Sequence, residues 1–363
     1  MIIEQRCAVP AGRARRLVPA VAVGMLCVAA ISCSYPELGD PCGEPEPAAA
    51  GGGVVELSPP SCAGLTTTCG GGSCCQAALV PGGTFHRGCD NAADSIYKDM
   101  SHPATVRPFV LDRYEVTVGR FRQFVAAGKG TQANPPDPGA GAHPALPSSG
   151  WDSTWNGKLP ATIMALKAEL SGDLMGCDSP HQTWTDNPGA NEDKPVNCVT
   201  WYLAMAFCIW DGGYLPTETE WNFAASGGSE HRAYPWSVPS SSTSIDCSHA
   251  NYQVSVSPAV YCADGSVGGT NRVGLDSPAG DGKWGHADLA GNVLEWTLDS
   301  FADYTVPCVD CAALTPGADR VLRGGGFFNE FVSYLRSDYR DNHHGPGTHS
   351  SSYGMRCART PTP

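Results

Sequence analysis

The pattern of apolar and polar positions predicts three helices in a chain that is otherwise dominated by turns. Phe121 and Phe124 lie on one face of a helix that begins at Thr117. A second helix is predicted over Trp201–Trp210, with Thr200 as its N-cap. That segment is apolar on nearly all sides, so we expect it to be buried.

A third helix and two short strands complete the predicted regular structure. Thr217 and Glu220 have the spacing of a capping box, which opens a helix over Glu218–Ala225. Val106–Leu111 and Arg320–Leu322 are predicted as strands. Few strands, few helices and many turns indicate an irregular, loop-rich α+β domain.

Composition supports a globular, turn-rich protein with an acidic surface. The 363 residues include 43 Gly and 30 Pro, only 16% are charged, and 42% are hydrophobic, which is enough for a sizeable core. The formal net charge is −13 and no basic patch is visible. We therefore expect no nucleic-acid partner, and the acidity serves either solubility or divalent cation binding.

The first 32 residues are predicted to be a lipoprotein-type signal peptide. Arginines within residues 13–16 precede an apolar run over residues 17–31, which is short for a transmembrane span. The run ends at Ser32-Cys33, which resembles a bacterial lipobox, so Cys33 is the expected lipidation site and membrane anchor. Plain secretion and an uncleaved anchor are the alternatives. In each case we expect the mature protein outside the cytoplasm. A lipoprotein would be anchored at the outer membrane or in the periplasm, and otherwise the protein would be secreted.

Cysteine content indicates a disulfide framework. Of 17 cysteines, two leave with the signal and Cys33 carries lipid, so fourteen remain. An even, high number in an exported protein predicts disulfides, whose connectivity stays open. Zinc is the alternative for the close pairs Cys69–Cys74 and Cys308–Cys311, but neither has a second pair or histidines at matching spacing.

The chain beyond the signal divides into three predicted parts. Residues 33–60 are rich in Pro, Gly and Ala and are expected to be a flexible tether. Residues 61–78 form a Cys-rich lead-in, and the main domain is expected over residues 79–360.

Seven segments resemble, in order, the motifs of the formylglycine-generating enzyme (sulfatase-modifying factor) family. They are Val116-Thr117 with Phe121 and Phe124, Pro195–Trp201, Leu215–Ala225, Tyr234–Trp236, Asp288–Trp296, Val321–Phe327 and Gly354–Ala358. The resemblance extends from Leu79 to Arg359. It implies the family's variant of the C-type-lectin-like fold, but a fold alone does not give a function.

The resemblance also implies structural calcium, which prefers carboxylate and carbonyl oxygens. At the first family site, the ligands map to the side chains of Asp288 and Glu295 and the carbonyls of Gly291 and Val293. The alternative is that Asp288 caps a turn and Glu295 pairs with an arginine. A second family site maps to Asn251, the Tyr252 carbonyl and Asp264.

The family's copper centre is altered in this chain. Family enzymes bind Cu(I) through two cysteines after an "RGGS" motif and use O2 to oxidise a substrate cysteine to formylglycine. Here Val332 and Ser337 stand at those positions, Gly326 replaces the motif serine, and Leu294 replaces a pocket aromatic. Because Cu(I) selects soft thiolates, we expect neither copper nor formylglycine generation.

The C-terminal stretch is the candidate ligand surface, because it mixes aromatic, small polar and charged residues. Its candidate residues are Asn329, Tyr334, Arg336, Tyr339, His343 and His344. The expected partner is a protein or a glycan; an ordinary polar loop, or a metal held by His343, His344 and His349, is the alternative. Three functions stay open: an envelope recognition module, a divergent metal-dependent oxidase acting on sulfatase-type cysteines, and a structural envelope protein.

Overall fold

A computed structural model describes most of the chain beyond its first 52 residues. The described residues are 53–92, 98–172, 177, 180–256, 259–263, 268–315 and 318–361. The predicted signal peptide, Cys33, most of the tether and Asp264 lie outside them. Within the described ranges, no helix is both long enough and apolar enough to span a bilayer.

Four α-helices form in the described chain, each opened by a threonine. They are α1 (Val118–Ala126), α2 (Ile163–Ser171), α3 (Trp201–Trp210) and α4 (Glu218–Ala225). The threonine before each helix accepts a hydrogen bond from the N–H three residues later. Each such cap stabilises a helix by about 1 kcal/mol. Helix α2 was not predicted; its Met164 is 78% exposed, so apolar residues do not mark its buried face.

Fifteen short strands form in the described residues. They are β1 (Val54–Glu56), β2 (Thr68–Cys69), β3 (Gly72–Ser73), β4 (Gln76–Val80), β5 (Gly83–His86), β6 (Pro103–Val106), β7 (Phe109–Asp112), β8 (Gln253–Val256), β9 (Ala259–Tyr261), β10 (Leu294–Ser300), β11 (Cys308–Val309), β12 (Arg320–Arg323), β13 (Asp341–His344), β14 (Tyr353–Gly354) and β15 (Ala358–Arg359). The predicted strand over Val106–Leu111 is divided between β6 and β7. Pro108 lies at the break, where it offers no N–H to a neighbouring strand.

Strands distant in sequence pair in the sheets. One sheet has the order β1-β4-β7-β15, a second β13-β12-β10-β14 and a third β11-β6-β5, beside the hairpins β2-β3 and β8-β9. Strand β1 pairs antiparallel with β4, Val54 facing Ala78. The structure therefore differs from the predicted tether at its C-terminal end, because the backbone there completes a sheet edge.

The largest core packs α1 and α3 against β10. Two tryptophans connect α3 and β10: Trp201 Nε1 donates to the Thr297 carbonyl (2.8 Å), and Trp296 Nε1 donates to the Val199 carbonyl (2.9 Å). Both indoles are fully buried. Helix α3 is buried over its first eight residues, as its apolar sequence predicted.

A buried ionic network joins the ends of the domain. Arg120 on α1 donates to Asp112 on β7 (2.9 Å) and to Asp211 after α3 (2.6 Å). Arg359 on β15 pairs with the same two carboxylates. Ser61 joins them, its N–H donating to Asp211 and its hydroxyl accepting from Arg120 Nε. Burial alone would raise the pKa of Asp112, but the two guanidinium groups hold it below its usual range.

The predicted disulfide framework is confirmed. Six disulfides join described residues: Cys62–Cys75, Cys69–Cys74, Cys177–Cys198, Cys208–Cys357, Cys247–Cys262 and Cys308–Cys311. Cys89 is also disulfide-bonded. Cys208–Cys357 links α3 to the segment before β15 across 149 residues of sequence.

Asp338 is a buried carboxylate beneath the C-terminal loop. Its Oδ1 accepts a hydrogen bond from Asn222 Nδ2 (2.8 Å), while its Oδ2 has no partner among the described residues. Burial raises the pKa of Asp338 to about 8, and the nearby charge of Asp90 adds to the rise. The folded protein therefore holds a proton at Asp338 that the unfolded chain releases near pH 4.

Replacement of Asp211 should destabilise the fold strongly. Asp211→Ala leaves Arg120 and Arg359 buried with one shared carboxylate, and we expect the free energy of unfolding to fall by about 3–5 kcal/mol. Denaturant titration of the oxidised protein measures it. Asp186→Ala is the control, because the exposed Asp186 pairs only loosely with Lys167 at 3.7 Å and should leave the midpoint unchanged. Equal midpoints for both variants would show that the network is dispensable.

Asp338 should make stability depend on pH. Its raised pKa contributes stability that is fully present below about pH 4 and is lost as the pH rises through about 8. Asp338→Asn removes the titrating group and retains the acceptor for Asn222. We expect its melting temperature to match the wild type at or below about pH 4 and to exceed it by an amount that grows up to about pH 8, whereas Asp186→Asn should follow the wild type throughout. A difference that does not change with pH would contradict this assignment.

Candidate functional site

The loop after β12 is shaped by two glycines and one asparagine. Gly324 and Gly325 have φ angles of 92° and 67°, and a Cβ on Gly325 would lie 2.9 Å from the Tyr334 carbonyl oxygen. Asn329 closes the turn, because its Oδ1 accepts from the Gly326 N–H at 2.7 Å. Its carbonyl accepts from the Gln253 N–H, which joins the loop to the β8–β9 hairpin.

Aromatic side chains of this loop, together with Tyr261 at the end of β9, form a group that we call the aromatic surface: Tyr261, Phe328, Phe331, Tyr334 and Tyr339. Phe331 contacts Tyr334 edge to face (centroids 5.5 Å apart), and Tyr334 lies 4.7 Å from Tyr339. Phe328 packs near Tyr261 at 6.3 Å. Phe331 is 55% exposed and Phe328 37%. The rings thus form two groups on one loop, and exposed apolar side chains of this kind are typical of interaction sites.

The candidate ligand residues separate into different environments. Tyr334 and Tyr339 belong to the aromatic surface, whereas Asn329 stabilises its own turn. Arg336 is buried, and its Nη1 lies 3.7 Å from Asp90 Oδ2. Its charge therefore pairs with a buried carboxylate and does not face solvent. The side chain of His343 lies outside the described part of the structure.

His344 lies between two partners on the sheet. The Tyr353 hydroxyl is 2.7 Å from His344 Nδ1, and His344 Nε2 is 3.2 Å from Asp341 Oδ1. Burial raises the pKa of Tyr353, so its phenol stays protonated. His349 points elsewhere, with Nδ1 3.0 Å from the Cys198 carbonyl. Among the described residues, no three His, Cys, Asp or Glu side chains converge as a metal site.

The positions of the family's copper ligands are not thiolates. Val332 is exposed in a short 3-10 helix, and its carbonyl accepts from the Tyr234 hydroxyl. Ser337 is buried, and its hydroxyl donates to the Ala225 carbonyl. Leu294 lies in the main core. Every cysteine that the structure describes is in a disulfide.

In the first predicted calcium segment, 288–295, three residues have backbone φ angles in the left-handed region. Asp288, Gly291 and Asn292 have φ angles of 55°, 85° and 61°. A Cβ at Gly291 would lie 2.5 Å from the Asn251 carbonyl, so only glycine fits there. Asp288 Oδ2 accepts from the Gly274 N–H at 2.6 Å. Burial raises the pKa of Asp288 to about 7, an effect a bound cation would oppose.

Glu295 has a dedicated protein partner. Both its oxygens accept from Arg356 Nε (2.9 and 2.7 Å), and Trp221 Nε1 donates to Oε2 (2.8 Å). This is the arginine pairing that the sequence left open as the alternative. Glu115 lies close to both Asp288 and Glu295, and burial, with their negative charges, raises its pKa well above the usual range. Calcium at this segment stays a prediction, in which Glu295 would be shared with Arg356.

The second predicted calcium site has buried oxygens without partners. Asn251 Nδ2 donates to the Gly269 carbonyl and to Asn292 Oδ1, but Asn251 Oδ1 has no hydrogen bond within the described residues. The neighbouring Thr270 hydroxyl is likewise buried and unpartnered there. The Tyr252 carbonyl accepts from the Cys262 N–H. Amide, hydroxyl and carbonyl oxygens are ligand types that calcium accepts.

The sequence did not indicate Phe328, Phe331 and Tyr261 as functional residues. A phenylalanine is buried by default, so only its position in a glycine-rich turn hinted at exposure. Tyr261 comes from a distant hairpin, and nothing local indicated that it joins this loop.

Comparison with known proteins agrees with these motifs. The profile of the sulfatase-modifying factor enzyme 1-like domain matches residues 66–361. The formylglycine-generating enzyme of Streptomyces coelicolor is 30% identical over 301 residues, covering 77% of this chain and 87% of that protein. The inactive C-alpha-formylglycine-generating enzyme 2 of Bos taurus is 27% identical over 298 residues, covering 77% and 86%.

A solved structure shows the same fold. PvdO from Pseudomonas aeruginosa superposes with a TM-score of 0.55 at 19% identity, covering 86% of this chain and all of that one. The expected loop-rich α+β fold of the formylglycine-generating-enzyme type is thereby confirmed. With the family profile matching most of its length, the chain belongs to the sulfatase-modifying factor (formylglycine-generating enzyme) family.

Proposed function

We propose that the domain is a non-oxidising recognition module that binds an exported protein through its aromatic surface. The observation that carries the proposal is the exposure of Phe328 and Phe331 beside Val332, in the segment where the family's enzymes place their copper ligands. A segment used for copper chemistry in relatives thus presents apolar contact area in this chain.

The cysteine chemistry supports a non-oxidising role. Cu(I) requires thiolates, and each cysteine in the described residues is committed to a disulfide. The family also contains a Bos taurus protein whose name marks it as inactive, so membership does not entail the activity.

The chemistry of the surface favours a protein partner over a glycan. Its most exposed rings are those of Phe328 and Phe331, and the exposed aliphatic Val332 lies next to Phe331 in the sequence. Asn329 and Arg336, which could have bonded sugar hydroxyls, are engaged within the domain. Aromatic side chains that a partner can desolvate are typical centres of protein interfaces.

The disulfides support display outside the cytoplasm. Six disulfides between described residues are compatible with an oxidising compartment, and this agrees with the lipid attachment proposed at Cys33. The proposal therefore places the recognition surface on the cell envelope, facing other exported proteins.

A photo-crosslinking residue at Phe331 should capture a discrete partner. We expect one dominant adduct in cells that express the full chain, competed by excess unlabelled protein but not by the Phe331→Glu variant. Affinity of the isolated partner should fall about tenfold or more for Phe331→Ala, because an aromatic contact at an interface centre is lost.

Met164, exposed on α2, is the matched position for the crosslinker and should give no such adduct. Equal labelling at both positions, or competition by Phe331→Glu, would refute the surface assignment. Absence of any adduct at Phe331 would favour a purely structural envelope protein, and retention of glycans by the wild type but not by Phe331→Ala would overturn the choice of a protein ligand.

We also propose a structural calcium ion at the Asn251 site. The unpartnered Oδ1 of Asn251 and the adjacent Thr270 hydroxyl support it, because buried oxygens without hydrogen bonds are costly unless a ligand satisfies them. The Tyr252 carbonyl retains a free lone pair that could face the same ion. Calcium would there hold the β8–β9 hairpin against segment 288–295.

Calcium removal should lower thermal stability through Asn251. At calcium a hundredfold above its Kd, binding adds about 2.7 kcal/mol, which corresponds to roughly 5 °C or more in melting temperature. We expect chelation to lower the wild-type melting temperature by that amount and to have little effect on Asn251→Ala. Gln253→Ala, on the same hairpin, should keep the full response. A wild type that melts identically with and without calcium excludes the site.

A further inference from the structure

The disulfide Cys308–Cys311 closes a four-residue ring at the end of β11. Its two sulfurs differ in access: Cys308 is 3% exposed and packs in a core cluster, whereas Cys311 is only partly buried at the edge of that cluster. Of the two cysteines, Cys311 is therefore the one that has solvent exposure, and Cys308 is sheltered.

A buried arginine contacts the accessible sulfur. Arg87 Nη1 lies 3.3 Å from Cys311 Sγ. The guanidinium is held in place by the Thr305 carbonyl, which accepts from Nη2 at 2.6 Å, and by the Tyr304 ring, whose centroid is 4.5 Å away. The Thr219 hydroxyl donates to the Cys311 carbonyl at 3.4 Å and lies 4.0 Å from Cys308 Sγ and 3.9 Å from Cys311 Sγ.

The charge of Arg87 has no carboxylate partner among the described residues. The nearby Glu218 is bonded to Arg323 and Arg340, and Arg87 Nε has no hydrogen bond within the described chain. Burial accordingly lowers the pKa of Arg87. Glu218 and Asp299 act on Arg87 only from a distance. A buried cation with no anion in direct contact is costly, and reduction of the disulfide would supply such an anion as the Cys311 thiolate.

The other disulfides lack this arrangement. Cys69–Cys74 has a similarly short sequence separation, but both its sulfurs are buried, and Cys74 Sγ lies beside the Thr67 carbonyl, which cannot stabilise a thiolate. Of the six disulfides between described residues, only Cys308–Cys311 has a guanidinium nitrogen at hydrogen-bonding distance from a sulfur.

We propose that Cys308–Cys311 is an exchangeable disulfide that oxidises a dithiol of an exported protein. A substrate thiolate attacks Cys311 Sγ, the bond to Cys308 breaks, and Cys308 Sγ leaves with the electron pair and takes up a proton. The second substrate thiolate then attacks the substrate sulfur of the mixed disulfide and releases the Cys311 thiolate beside Arg87. The substrate loses two electrons and two protons. The cysteine pair gains both electrons, Cys308 keeps one proton, and the other proton passes to solvent. This activity is independent of the aromatic surface.

Stabilising the reduced form makes a disulfide a stronger oxidant. Arg87 should therefore raise the equilibrium constant for reduction of Cys308–Cys311. The full chain is equilibrated in glutathione redox buffers, alkylated and mapped by peptide mass spectrometry. We expect Cys308–Cys311 to be reduced in buffers that leave Cys69–Cys74 oxidised. Arg87→Gln should lower the equilibrium constant for reduction about tenfold, because a charge-assisted hydrogen bond is lost, whereas Arg87→Lys should retain most of it. Reduction no easier than that of Cys69–Cys74, or an unchanged constant in a folded Arg87→Gln protein, overturns the proposal.

A second measurement does not depend on an arginine variant. Cys308→Ser leaves Cys311 as a free thiol, whose ultraviolet thiolate absorbance should titrate below the usual value of about 8.5. Arg87 contacts this sulfur. Glu218, Asp299 and Arg340 surround Arg87, and Asp310 precedes Cys311 in the sequence. The same variant should form a mixed disulfide with glutathione at Cys311. Titration at or above about 8.5, or no adduct, shows an inert structural disulfide.

Discussion

The alternation of Arg120 and Arg359 with Asp112 and Asp211 is the interaction on which the domain depends. It joins β7, α1, the end of α3 and β15 at one buried point, and Ser61 brings the Cys-rich lead-in to the same point. Two cations and two anions satisfy one another there, so the charges need no water. Losing any one leaves an excess charge in the interior, which makes the network a strict constraint on how the segments assemble.

Arginine side chains also donate hydrogen bonds to buried backbone carbonyls, many of which in a loop-rich domain have no partner in a helix or sheet. Arg356 donates to the carbonyls of Asp112, Arg113 and Ala287 as well as to Glu295. Arg323 likewise donates to two loop carbonyls. Buried carbonyls outside helices and sheets need donors, and a guanidinium supplies several at a fixed geometry. Glu295 therefore serves first to hold Arg356 in place.

Local signals in the sequence located the helices that begin with a cap. Thr117, Thr200 and Thr217 each bond an N–H three residues away, so the whole interaction lies within one turn of sequence. The ionic network could not be found this way, because Asp112 and Arg359 meet only through sheet pairing. Arg336 is the complementary case: it stands among polar residues, yet its partner Asp90 lies far along the chain, so its burial was not predictable. The family motifs were sufficient to predict the fold. The aromatic surface was not predictable, because Tyr261 lies on the separate β8–β9 hairpin and meets the loop only in the folded protein.

Cys208–Cys357 has a further consequence for the aromatic surface. The loop that carries Phe328 and Phe331 lies between these two cysteines, so this stretch of chain is a covalently closed ring. A protease that cuts once within the ring produces two ends but no separate fragment. A single nick in an exposed loop therefore leaves the C-terminal strand β15 attached to α3. This topology allows the domain to keep an exposed loop without losing its integrity to one cleavage.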